Sequence, residues 1–69
     1  MKPDVTVVNH GSIFIVSPVT PKANRWVKKH LSIESWQYFG KGFSVDQHYI
    51  ENLVDGMRTD GQLIVVIEN

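Results

Sequence analysis

The chain has 69 residues, 42% hydrophobic and 20% charged, with seven Lys and Arg balancing seven Asp and Glu. That length allows one core, so residues 1–69 are read as a single domain, and the composition is far from the low-hydrophobicity, high-charge signature of disorder. The absence of cysteine excludes disulfides and thiolate metal sites, and a balanced net charge leaves no global field drawing the chain to nucleic acid or membrane.

No run approaches the roughly 18 apolar residues of a membrane span, and Met1-Lys2-Pro3-Asp4 has no signal-peptide core, so a cytoplasmic protein is expected. Val5-Thr6-Val7-Val8-Asn9 and Ser12-Ile13-Phe14-Ile15-Val16 are β-branched runs, and His10-Gly11 between them suits a two-residue turn needing positive φ. Both runs are apolar at nearly every position, which predicts a central strand covered on both faces.

Thr20-Pro21 reads as an N-cap followed by proline at the first helical position, opening a helix over residues 21–31. At 100° per residue Ala23, Trp26, Val27, His30 and Leu31 share one arc, and Lys22, Arg25, Lys28 and Lys29 fill the opposite one. Trp36-Gln37-Tyr38-Phe39 and Gly42-Phe43-Ser44-Val45 flank Gly40-Lys41, either as a second strand pair or as one strand broken by a glycine bulge. Asp46 is placed to cap a second helix carrying Tyr49, Ile50, Leu53, Val54 and Met57 on one arc and ending near Gly61, a candidate left-handed C-cap. Gly56 inside that helix implies a close backbone approach or an early end. The β-branched run of residues 62–67 predicts a last strand held within the sheet. The expected fold is α+β: a small, mostly antiparallel sheet in ββαββαβ order packed against two helices. There is no repeat, low-complexity tract or linker.

The three histidines do not cluster. His10 falls at a turn, His30 beside the core stripe of the first helix, and His48 on the polar side of the second helix near Asn52 and Asp55, too dispersed for converging metal ligands. Ser12 beside His10-Gly11 is the one candidate nucleophile and base, but no third group orients it, and a serine starting a strand is the plainer account. No G-x-S-x-G, H-E-x-x-H, Walker or dinucleotide glycine pattern is present, so no enzyme, metal or cofactor is expected.

Binding is expected instead, on three surfaces. The basic arc of Lys22, Arg25, Lys28 and Lys29 can meet phosphates or an acidic protein surface, although a solvated face is the plainer reading. Trp36, Tyr38, Phe39 and Phe43 with Lys41 form an aromatic and basic segment of the type on which single-stranded bases stack, set against the need of so small a chain for aromatic core. Glu51 and Asp55, spaced i, i+4 with Arg58 in reach of either, make the second helix acidic. A basic and an acidic helix on one domain could steer a protein partner or a second copy of the chain.

The string Val7-Val8-Asn9-His10-Gly11-Ser12-Ile13-Phe14, then Pro18-Val19-Thr20, Gln37-Tyr38-Phe39-Gly40, and Tyr49-Ile50 through Leu53-Val54-Asp55-Gly56-Met57 with Asp60-Gly61, resembles a family of very short phage, prophage and mobile-element proteins. The resemblance spans nearly the whole chain. Its most specific parts are the Asn-His-Gly-Ser hairpin and the Tyr-to-Asp-Gly helix. It implies no catalytic residues to carry over. It does imply a phage-type setting, in which a small protein binds a host or phage protein, for instance to inhibit a host defence complex. The alternative is a nucleic-acid-binding accessory protein using the basic helix and the aromatic hairpin.

Overall fold

β-Branched residues favour the pleated backbone, and they make up half or more of three of the five strands of the sheet, over residues 5–9, 13–18 and 65–68. A computed structural model describes residues 2–32, 38–39 and 42–68. In chain order the elements are β1 (Val5–Asn9), β2 (Ile13–Pro18), α1 (Pro21–His30), β3 (Tyr38–Phe39), β4 (Gly42–Asp46), α2 (Ile50–Thr59) and β5 (Val65–Glu68). The α+β class and the ββαββαβ order are therefore as expected, and the second aromatic segment is a strand pair. Residues 36, 37, 40 and 41 lie outside the described residues.

The strands lie in the order β3-β4-β2-β1-β5. Neighbours are antiparallel except β1 and β5, which run parallel, so the sheet is mixed. The parallel pair follows from connectivity. A helix between two strands returns the chain to the end it left, so β5 runs the same way as β4, and hence as β1, beside which it lands. The β2-α1-β3 and β4-α2-β5 crossovers start from opposite strand directions and move towards opposite sheet edges. The right-handed rule for such crossovers then places both helices on one face.

Burial agrees. Val5, Val7, Val16, Phe43, Val45 and Val65 from the sheet meet Ala23 and Val27 of α1 and Ile50, Leu53, Val54 and Met57 of α2 in one core. The register aligns them, with Val7 opposite Val16, Val16 opposite Phe43 and Val5 opposite Val65. The intervening residues turn to the other face, where Val8 and Ile15 are half-buried and Ile13 and Val66 are exposed. Here the structure corrects the expectation of a strand covered on both faces: β2 is central, but the helices occupy only one side, and no described element packs over the other.

Three local expectations also shift. The hairpin turn is Gly11-Ser12, one residue beyond His10-Gly11, closed by the His10 N–H donating to the Ile13 carbonyl at 2.9 Å. Gly11 has φ +91°, a conformation L side chains rarely adopt, and its N–H donates to the Asn9 side-chain oxygen at 2.8 Å. Thr20 caps α1 as expected, its hydroxyl accepting from the Ala23 N–H at 3.2 Å, and Leu31 is the C-cap rather than the last helical residue. Asp46 closes β4 and caps the turn that follows, accepting from the His48 N–H at 2.7 Å, so α2 begins only at Ile50, with Tyr49 at its N-cap.

At the other end of α2 the left-handed residue is Gln62, φ 52°, and not Gly61. Gly61 is required for space: a Cβ there would lie 2.7 Å from Cδ1 of Trp26. The helix runs through Gly56, where a Cβ would meet Trp26 only at an ordinary 3.7 Å, so neither a forced close approach nor an early end accounts for that glycine.

Candidate functional site

No charged or polar side chain is buried among the described residues. Every candidate site is therefore a surface, and the surfaces differ in what the fold brings to them.

The first is an open cleft of about 490 Å³ beside α1. Lys22, Arg25 and Lys29, spaced along one side of that helix, line it together with Trp26, His30, Asp60 and Gly61. Trp26 packs half-buried against the core, its ring 4.6 Å from that of His30 between centroids. The Trp26 indole N–H donates to Oδ2 of Asp60 at 2.9 Å, and Nε2 of His30 lies 3.1 Å from the same oxygen. Asp60 thus ties the end of α2 to α1, and two of its neighbours already engage its charge. Lys22 donates to the Gln62 carbonyl at 3.3 Å. Lys28 is exposed but does not line this cleft.

A second cleft, about 630 Å³, opens between α2 and the hairpin end of the sheet. Its floor is Phe14, Ile50, Val54 and Ile67, and its rim carries Glu51 and Asp55. Arg58 also reaches it, yet it does not pair with either carboxylate as the spacing suggested. Its Nη2 donates to the Val65 carbonyl at 3.0 Å, because the edge of β5 offers an acceptor within reach of the side chain.

The third surface is β5 itself. It is an edge strand, in which Val66 and Ile67 are 41% and 44% exposed, and Ile64 just ahead of it is 40% exposed. The sequence predicted a strand over residues 62–67 held within the sheet; the structure corrects this to an edge strand over Val65–Glu68, since order within a sheet is set by long-range pairing.

Of the remaining sequence candidates, Trp36 and Lys41 lie outside the described residues, and Tyr38 is placed in β3 by its backbone. His10, Ser12 and His48 are exposed at turns, Ser12 within the tight turn rather than at a strand start. No group of three or more metal-ligating side chains occurs among the described residues. Sequence reading missed Asp4, whose carboxylate accepts from the Thr20 hydroxyl at 2.7 Å and from the Ile64 N–H at 2.9 Å. These bonds, the Ile64 N–H foremost and the Thr20 hydroxyl second, hold its pKa below the usual aspartate range, with the Lys22 charge adding to them. No spacing signal links residues 4, 20 and 64, because only the fold makes them neighbours.

No helix of the described residues is long and apolar enough to cross a membrane. Compared with family models, curated proteins and solved structures, the chain matches none.

Proposed function

We propose that the chain is a non-enzymatic binding protein that acts in the cytoplasm by docking on another protein. The supporting observation is the concentration of exposed apolar side chains along the sheet's edge, Val66 and Ile67 in β5 and Ile64 immediately before it. Edge strands with such side chains are templates for pairing, which monomeric proteins ordinarily blunt with charge, proline or cover, and here the Arg58 side chain covers the Val65 carbonyl alone. The likeness to short phage and prophage proteins suggests a host or phage protein as partner, with inhibition of a host defence complex as one outcome. Glu51 and Asp55 on one side and the α1 cations on the other would orient the encounter.

Cross-linking of the tagged chain in host cells, with the linked residues mapped by mass spectrometry, tests the reading. A stoichiometric partner linked through β5 or the helix faces is expected. Saturating cross-linking that recovers no partner in several hosts would overturn it.

The cleft formed by Lys22, Arg25, Trp26, Lys29 and His30 favours one second reading, a nucleic-acid accessory protein. Binding to single-stranded oligonucleotides would then weaken steeply with salt and be lost on joint charge reversal at Arg25 and Lys29. Affinity unchanged by that reversal rules this reading out.

A further inference from the structure

The main chain of β5 has a fixed polarity across the sheet. Ile64 faces β1: its carbonyl accepts from the N–H groups of Asp4 and Val5 at 2.8 and 3.1 Å, and its N–H donates to Asp4 Oδ2 at 2.9 Å. Successive residues of a strand alternate the side to which their N–H and C=O point. Val66 and Glu68 therefore also face β1, and Val65 and Ile67 direct their polar groups outward. The Arg58 side chain on the Val65 carbonyl agrees, since it reaches that oxygen from outside the sheet.

We propose that this outer edge pairs antiparallel with β5 of a second copy of the chain, about a two-fold axis passing at Val66. The reading rests on β5 being a docking edge, and it names the occupant. Val65 and Ile67 are spaced i, i+2 and symmetric about Val66, so under a two-fold each Val65 opposes the partner's Ile67: its N–H donates to that residue's carbonyl, and its own carbonyl, which Arg58 already engages, accepts the partner's Ile67 N–H on its second lone pair. Val66 then faces the partner's Val66 as a close, non-hydrogen-bonded pair, with Cα atoms about 4.5 Å apart. A register centred on Val65 would instead oppose Ile67 to the partner's Leu63, whose N–H is already committed to the Met57 carbonyl at 2.9 Å.

Charge is compatible with self-pairing. Residues 62–67 carry none, and Glu68 falls opposite the partner's Ile64 rather than another acid. The same axis sets Arg58, held at Val65, beside the partner's Ile67, which lines the cleft rimmed by the partner's Glu51 and Asp55. An unrelated extended peptide would gain the main-chain bonds but not this reciprocity. A strand pair this short buries less than the ~800 Å² per partner of a standard interface, so the dimer is weak and concentration-dependent.

The chain has no cysteine, so Val66→Cys introduces a single thiol at the proposed axis. Under mild oxidation it should form a disulfide-linked dimer at least about tenfold faster than Val19→Cys, a 56% exposed site away from this edge. The wild-type chain should sediment as a monomer–dimer equilibrium. Ile67→Pro removes only an outward N–H, two bonds per dimer, and should weaken association about tenfold or more with the circular dichroism of the fold retained. Sedimentation as a monomer up to about 1 mM, or equal cross-linking rates at the two cysteine sites, overturns the proposal, and the cross-linking comparison decides even if Ile67→Pro fails to fold. A monomer that still captures a foreign protein through its helices would sink the dimer alone; a dimer that binds no other protein would sink the wider reading alone.

Discussion

Asp4 accepts the Thr20 hydroxyl and the Ile64 N–H, while its own N–H and C=O bond Ile64 and Val19. One aspartate thereby joins the start of β1, the cap of α1 and the entry to β5. Because its folded pKa is depressed, its contribution to stability is fully present above the ordinary aspartate range, near 4, and is lost as pH falls through the lower folded value. Asp4→Asn is therefore expected to lower Tm at pH 7, with the gap to wild type narrowing on acidification below about pH 4. A gap that stays constant with pH would show that the carboxylate's charge is not what matters. Two glycines under Trp26 should respond with opposite signs. Gly61→Ala forces a Cβ to 2.7 Å from the indole and is expected to cost about 1–3 kcal/mol in urea unfolding. Gly56→Ala meets only ordinary contacts and should stabilise α2 by about 0.5–1 kcal/mol.

Among the elements, α1 was the most legible, since Thr20-Pro21 is a local start signal and its apolar arc a local period. Thr20 also donates to Asp4, a role that no local pattern indicates. Thr20→Ala should accordingly cost about 1–2 kcal/mol, the upper part of the range for a lost N-cap, as read by thermal unfolding. The start of α2 was less legible. Asp46 is a good cap residue, but its backbone is held in β4 opposite Ile13, and the cap it forms serves the turn over residues 47–49. The hairpin turn shifted by one residue for a related reason: with Val7 set opposite Val16 in the core, the loop falls at Gly11-Ser12.

At the scale of the whole molecule, one core joins both helices to one face of the sheet. A domain of this length has a total stability of only about 3–10 kcal/mol. Phe43 of β4, 1% exposed, is the largest fully buried side chain among the described residues. Phe43→Ala is expected to remove about 3–5 kcal/mol and to leave the chain largely unfolded at moderate temperature, visible as loss of chemical-shift dispersion in NMR spectra. Among the described residues no element covers the other face of the sheet, and the β5 edge meets only the Arg58 side chain at Val65; from that asymmetry the proposed docking arises.

The amino-acid sequence by itself determined the element types and their order, the cap of α1 and the charge of each helix, because periodicity, β-branching and capping act over a few residues. It also marked Glu51, Asp55 and the α1 cations as surface. The tertiary structure alone decided that β5 stands at an edge parallel to β1, that both helices share a face, that Arg58 reaches Val65 rather than an acid, and that Trp26, His30 and Asp60 meet. Each of these depends on pairing between residues far apart in the chain. Such pairing is chosen by the burial of the whole core and the handedness of its crossovers, neither of which a local window contains.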